Sequence, residues 1–153
     1  MIRRAIIKNY RMLRANDVAL PPFVVLVGKN ATGKSTFLGA LRFVSDLLRG
    51  GVDQALEGAL EHEAPNFLEL CFDPRLPIEI AVEVDVDGRP ARYEVQVGPD
   101  PSAGIAVLRE QLYLLPEPGL ALLPEPEVDQ FARARGGSLE AGCNSVALAS
   151  LAL

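Results

Sequence analysis

The sequence predicts an α/β fold in which a mixed β-sheet and a helix form one lobe and an antiparallel β-subdomain follows. Three observations predict it. The run 23–27 is apolar at every position, which is typical of a strand buried on both faces. From Lys34 to Leu48, apolar residues recur at three- and four-residue spacing, as in an amphipathic helix. Residues 78–86 alternate between apolar and polar, which indicates a strand with one wet face.

Composition bounds the class of protein. The chain has 153 residues, 49% of them hydrophobic and 23% charged, which fits one modest globular domain. A net charge of -5 gives no overall attraction to nucleic acid or anionic lipid. Cys71, Cys143 and His62 form no metal-binding or disulfide pattern, so we expect a reducing compartment. No signal peptide or membrane-length apolar run occurs, and we expect a cytoplasmic protein without a membrane segment.

The first sixty residues read as strand, turn, strand and helix. Residues 1–8 resemble a half-exposed strand and 9–14 a turn, and Pro21-Pro22 then separates them from the buried run. The glycine pair at 50–51 is expected to end the helix near Leu48, and 53–62 fits a second, short helix. We assign the P-loop lobe, named after the phosphate-binding motif described below, to residues 1–64.

The middle of the chain reads as an antiparallel subdomain, assigned to residues 65–130. Expected strands are 67–72, 78–86, 93–97 and 105–115, with a hairpin turn at 87–90 and a loop at 98–104. Residues 131–153 would begin a further segment. Because the apolar run 145–153 has neither a helix stop signal nor a polar tail, we expect an incomplete domain that is cut within an element.

Residues 28–35 form the pattern G-x-x-x-x-G-K-S between the apolar run and the helix. Glycines at both ends let successive backbone N–H groups point inward as an anion nest, and the helix N-terminus adds its dipole. Lys34 would place a positive charge on the β- and γ-phosphates, and the Ser35 hydroxyl would ligate Mg²⁺. A chance match in a turn is the alternative, and the flanking strand and helix patterns disfavour it.

A second feature is the basic start of the chain. It carries five basic residues and no acid before Asp17: Arg3, Arg4, Lys8, Arg11 and Arg14. Such a run is usually the solvated face of an edge strand. The alternative is a patch that contacts phosphates, either of ATP or of DNA.

Three stretches resemble the ATP-binding head of the ABC-ATPase clade, in its SMC, RecF, OLD and predicted "AAA family" branch. They are K-N-Y-R at 8–11, V-L-V-G-K-N-A-T-G-K-S-T at 25–36, and L-G-A-L-R-F-V-S-D-L-L at 38–48. The resemblance is strong over residues 1 to about 60, and the antiparallel segment is compatible with the family's β-subdomain. Ala31 stands where the transporter branch most often has glycine.

The resemblance implies ATP and Mg²⁺ as cofactors and a second ATPase head as partner. It implies that Arg11 lies near the phosphates, that Asn30 shapes the γ-phosphate pocket, and that Thr36 touches the α-phosphate. The implied nucleotide-binding residues are Gly28, Lys29, Asn30, Ala31, Thr32, Gly33, Lys34, Ser35, Thr36 and Arg11, with Ser35 also on the metal.

Other motifs of this family are missing. No signature motif occurs, and residues 112–118 imitate a Walker B strand but carry Pro116 where the Mg²⁺-organising aspartate belongs. The strand before it fits the β-subdomain better. Gln111 and Gln130 are both possible Q-loop residues, and no catalytic base can be assigned. The chain therefore resembles the N-terminal part of such an ATPase.

Three functional hypotheses remain open. The first is an ATP-binding lobe of an ABC/SMC-like ATP hydrolase that couples hydrolysis to conformational change, with little activity of its own. The second is an ATP-switched, DNA-directed protein of repair or anti-phage defence, which the net charge does not support. The third is a degenerate, inactive fragment.

Overall fold

The computed structural model describes residues 1–62, 66–86 and 88–115, which form a five-stranded sheet with one long helix. The order of the strands across the sheet is β2-β1-β3-β4-β5, and every neighbouring pair is antiparallel. The elements are β1 (Ile2–Tyr10), β2 (Leu13–Ala19), α1 (Lys34–His62), α2 (Phe67–Leu70), β3 (Ile78–Val86), β4 (Arg89–Asp100) and β5 (Gly104–Leu114).

Alternation along the strands gives the sheet one dry and one wet face. Ile7 lies opposite Ile80, which lies opposite Val95, and all three side chains are at most 2% exposed. One residue along, Lys8 lies opposite Glu79, and both side chains are polar and partly or fully exposed. Because side chains alternate between the faces of a strand, the register that sends Ile7, Ile80 and Val95 inward sends Lys8 and Glu79 to the wet face.

Helix α1 covers the dry face. Phe37, Phe43 and Leu47 lie on one side of the helix and are 2 to 7% exposed, within the same core as the sheet residues. The ring of Phe43 lies 5.9 Å from that of Tyr10. The helix has a kink at Gly51, whose φ is 81°. The first helix, expected to end near Leu48, thus continues to this kink, and the expected second helix follows directly after it.

The expected mixed sheet and buried strand at 23–27 are wrong for the described part of the chain. The run 23–27 joins none of the strands, and Phe23 and Val27 are 81% and 84% exposed. A strand that is apolar on both faces needs cover on both faces. Here the one long helix already covers the antiparallel sheet, and no second layer of the described residues lies over 23–27.

Two further predictions near the ends of β1 and α1 are wrong. The turn expected at 9–14 is only Arg11–Met12, because β2 begins at Leu13; its largely polar sequence has little apolar alternation to reveal it. The strand expected at 67–72 is instead the short helix α2. Asn66 caps it by accepting a hydrogen bond from the N–H of Glu69 at 3.2 Å, a local contact that outweighs strand propensity.

The hairpin of β3 and β4 is confirmed, and β5 pairs with β4 as an antiparallel strand. The expected loop at 98–104 is shorter, because β4 continues to Asp100, whose carboxylate accepts hydrogen bonds from the N–H and hydroxyl of Ser102. Pro116, Gln130 and the segment 131–153 lie outside the described residues. Among the helices that are described, none combines the length and hydropathy needed to cross a bilayer.

Candidate functional site

Two residues of the loop before α1 have the left-handed conformation that anion nests use. Gly33 has φ of 93° and Ala31 has φ of 62°, both in the left-handed region, while Gly28 has φ of 154°. Alternation of such conformations turns successive N–H groups toward a common point. Ala31 holds the left-handed conformation without being glycine, which costs about 1 kcal/mol and is the kind of strain found at functional loops.

Helix α1 begins directly at the end of this loop. The N–H of Phe37 donates to the carbonyl of Gly33 at 2.8 Å, so Gly33 forms the first turn of the helix. The first turn contains no acidic residue. The partial positive charge of the helix N-terminus therefore remains available to an anion at the loop.

The Lys34 side chain folds back across the loop. Its ammonium group donates to the carbonyl oxygens of Gly28 and Lys29, both at 2.7 Å. The hydroxyl of Thr32 also donates to the Lys29 carbonyl, at 2.9 Å. These contacts join the two ends of the loop and hold the positive charge of Lys34 beside the loop backbone.

The remaining loop residues differ in exposure. Asn30 and Ser35 are exposed, so their polar side chains are accessible from solvent. Thr36 is only 7% exposed, and its side chain is therefore buried at the base of the helix. The structure thus presents the Ser35 hydroxyl at the surface beside the loop, where a metal–phosphate complex could reach it.

A cleft of about 470 Å³ lies between the loop and β2. Its volume is in the range of small-molecule sites, which is roughly 300–1,000 Å³. Both polar and apolar residues line it. It is lined by Leu13, Asn16 and Val18 of β2, by residues 25–28 and 32–34, and by Phe37.

The turn between β1 and β2 lies against the loop at Gly33. A Cβ atom on Gly33 would lie 3.3 Å from Cδ2 of Leu13 and 3.4 Å from Sδ of Met12, so the turn packs against the loop. Arg11 lies in the same turn with φ of 50° and is partly exposed. Arg11 is therefore the neighbour in sequence of Met12, which lies against the loop.

Three of the five basic residues at the start of the chain pair with acids of the neighbouring strands. Arg3 pairs with Asp85, and Lys8 pairs with Glu79 at 3.0 Å. Arg4 holds Asp17 at 2.6 Å, and its hydrogen bond lowers the pKa of that carboxyl below the usual value. β1 has a partner strand on each side, so the expected edge-strand position is wrong.

A shallow depression of about 70 Å³ lies on the wet face among these charges. Arg92 donates to Glu94 at 2.6 Å, and Gln96 donates to Glu79 at 3.1 Å. Most of the charged groups at this depression are thus paired with one another, and Arg109 donates to Oε1 of Gln111 at 2.7 Å, so we interpret the depression as a solvated sheet face.

Sequence reasoning missed the wall of the cleft that β2 provides. Leu13, Asn16 and Val18 were hidden because β2 itself was not recognised. It also gave no role to Asn9, although Asn9 stands in the K-N-Y-R stretch. A buried asparagine with φ of 59° has a structural or positioning task.

The chain is similar to known proteins in two comparisons. Residues 23–137, more than half of the chain, match the family described as "AAA domain, putative AbiEii toxin, Type IV TA system". The chain is also similar to the OLD nuclease of Thermus scotoductus, with 35% identity over 85 residues. That alignment covers 56% of this chain and 15% of the relative, so the chain spans a small part of the length of this relative.

Proposed function

The chain belongs to this family of AAA domains, and from that premise we propose that residues 28–35 bind the phosphates of Mg·ATP. The chain would serve as the nucleotide-binding lobe of an ATPase. The observations that carry the proposal are the left-handed residues Ala31 and Gly33, the N-terminus of α1 with no acidic residue in its first turn, and the Lys34 ammonium held across the loop. All three features stabilise a polyphosphate anion.

The cleft beside the loop supports a nucleotide as the ligand. Its lining includes Gly28, Gly33 and Lys34 of the loop and apolar side chains such as Val18 and Val25. A triphosphate at the loop would leave room for a nucleoside along β2. We propose that Lys29, Asn30, Thr32 and Thr36 shape the phosphate end and that Arg11 approaches it from the β1–β2 turn.

The residues present fit a magnesium ion that is bound through the nucleotide. Mg²⁺ in phosphate sites keeps several waters and takes one or two protein ligands plus phosphate oxygens. The Ser35 hydroxyl, exposed at the second position of α1, would be such a ligand. When bound, the ion would neutralise phosphate charge. Within the described residues no group of three or more carboxylate, histidine or cysteine side chains could hold a metal without the nucleotide.

Hydrolysis needs a group that orients water, and we propose that it comes from outside the described residues. In the cleft, Lys34 and the loop N–H groups bind and neutralise phosphates, but no carboxylate or histidine lines it. A second ATPase head would complete the site in the manner of the ABC clade. The proposed location is the cytoplasm. In this account the lobe binds ATP, and the assembled protein couples hydrolysis to conformational change.

The test is the magnesium dependence of ATP binding by the wild-type chain and by Ser35→Ala. We expect Mg²⁺ to tighten wild-type binding and to have an effect about tenfold smaller on Ser35→Ala, since one ligand of the ion is lost. Isothermal titration with and without Mg²⁺ measures both. Absence of ATP binding by the folded wild-type chain would contradict the proposed function.

A second candidate is a DNA-directed role, which the similarity to an OLD nuclease favours. The paired state of Arg3, Arg4 and Lys8 weighs against a basic DNA-binding patch on β1. For a DNA-binding chain, the logarithm of the binding constant would fall linearly with the logarithm of the salt concentration. The slope would be about -0.9 for each phosphate contacted on duplex DNA. No measurable binding at low salt would remove this candidate for the present chain.

A further inference from the structure

The side chain of Asn9 holds together two segments that are far apart in sequence. Asn9 is 5% exposed, and its amide nitrogen donates to the carbonyl oxygens of Asp73, Leu76 and Pro77 at 3.0, 2.7 and 3.1 Å. Its amide oxygen accepts from the N–H of Asp73 at 2.6 Å. Both ends of the amide are therefore used by the segment 73–77.

The backbone around Asn9 is held by the residues just before that segment. The carbonyl of Asn9 accepts from the N–H of Phe72 at 3.3 Å, and the N–H of Arg11 donates to the carbonyl of Leu70 at 2.6 Å. Tyr10 forms an isolated antiparallel bridge with Cys71. These hydrogen bonds with residues 70–77 therefore fix the start of the β1–β2 turn.

The other side of the same turn faces the phosphate-binding loop. Met12 and Leu13 pack so closely on Gly33 that an added Cβ there would lie 3.4 and 3.3 Å from their side-chain atoms. Gly33 is the residue whose carbonyl begins the hydrogen bonding of α1. The position of the turn therefore limits where Gly33 and the first turn of α1 can lie.

The backbone of Asn9 makes this arrangement possible. Its φ of 59° and the φ of 50° at Arg11 bring β1 into the tight turn that ends at Leu13. Asparagine tolerates the left-handed region better than most residues, and its amide is fully hydrogen-bonded here. A buried amide with this many partners is costly to disturb, so it specifies one position of the turn.

We propose that Asn9 is a positioning residue for the phosphate-binding loop: it acts through the β1–β2 turn and does not touch the nucleotide itself. Its amide fixes the turn to residues 73–77, and Met12 of the turn and Leu13 at the start of β2 fix Gly33. The link to nucleotide affinity rests on the proposed function, whereas the link to loop position does not.

The test compares Asn9→Gly with the wild-type chain by hydrogen exchange without nucleotide. Glycine keeps the positive φ and removes the amide, so the backbone conformation is retained. We expect exchange in residues 31–36 to rise about tenfold, as for the loss of a hydrogen bond that restrains a segment. An increase confined to residues 70–77, with 31–36 unchanged, would overturn the proposal.

Asp100→Ala is the matched control. Asp100 is also a buried polar residue, 9% exposed, that holds a turn, in this case by accepting from the N–H and hydroxyl of Ser102 at 2.8 and 2.5 Å. It lies at the β4–β5 turn, so its loss should leave exchange in 31–36 unchanged. If Asn9→Gly does not fold, Asn9→Asp carries the test, because it keeps the acceptor oxygen and loses the donors.

Nucleotide affinity separates this proposal from the proposed function. If the wild-type chain binds Mg·ATP, we expect both Asn9 variants to bind about tenfold more weakly and Asp100→Ala to bind like wild type. Equal affinity of folded Asn9 variants and wild type would overturn the positioning role and leave the proposed function intact. A wild-type chain that binds no nucleotide would contradict the proposed function alone, and the exchange data would still decide the role of Asn9.

Discussion

Lys34→Ala is expected to weaken Mg·ATP binding by about 10- to 100-fold or more. A hydrogen bond to a charged group contributes about 1.5–3 kcal/mol, and 1.4 kcal/mol corresponds to a factor of ten in the dissociation constant. The substitution also removes the two contacts at 2.7 Å that close the loop onto Gly28 and Lys29. Titration calorimetry of the 153-residue chain measures the affinity.

Lys8→Ala is the matched control for loss of a lysine. Lys8 lies on the wet face of the sheet, where its ammonium pairs with Glu79 at 3.0 Å, and its side chain is 54% exposed. An exposed pair of this kind contributes little to stability, so the variant should fold and bind ATP like wild type. Equal weakening by both substitutions would mean that general charge attracts the nucleotide and that the loop has no special part in binding.

Phe43→Ala is expected to lower the free energy of unfolding by about 3–5 kcal/mol, as for removal of a large aromatic side chain from a core. The Phe43 side chain is 2% exposed and packs against the ring of Tyr10. Domains of this size are stable by only about 5–15 kcal/mol, so much of the stability would be lost. Urea unfolding followed by circular dichroism measures the change.

Leu38→Ala provides the comparison on the same helix. Leu38 is 57% exposed, and both leucine and alanine favour helices, so the change should be within about 0.5 kcal/mol. A loss for Leu38→Ala as large as that for Phe43→Ala would contradict the observed packing, in which only one side of α1 faces the sheet.

The sequence was sufficient to predict the elements with strong periodicity. The alternation of residues 78–86 and the helical spacing after Lys34 both reflect one buried and one exposed side, and those elements were found. It was insufficient for β2 and α2. β2 is mostly polar and exposed, and α2 depends on the cap formed by Asn66, a contact too local and short to give a periodic pattern.

The candidate site was predictable where one short stretch contains it. The spacing of Gly28, Gly33 and Lys34 is that of a loop before a helix, so the helix start at Lys34 could be anticipated from the sequence alone. The residues that the β1–β2 turn brings to the loop could not be anticipated in this way. Contacts of Met12 and Leu13 with Gly33, and of Asn9 with Asp73, depend on the pairing of strands, which no local pattern specifies.

The run 23–27 is the clearest case of a conflict between pattern and structure. Its composition indicates a strand with both faces buried, yet Phe23 and Val27 are more than 80% exposed. An apolar pattern reports which surfaces a segment can bury, and it does not report which neighbour buries them. Among the described residues, no helix or strand covers the run 23–27.

The most direct test of the central claim maps the protection of backbone amides by Mg·ATP in the wild-type chain. If the loop binds phosphates through its N–H groups, hydrogen exchange should slow in residues 28–36 and stay unchanged in the β3–β4 hairpin. Protection confined to the wet face around Lys8 and Glu79, or no protection at saturating nucleotide, would contradict the assignment of residues 28–35 as the nucleotide site.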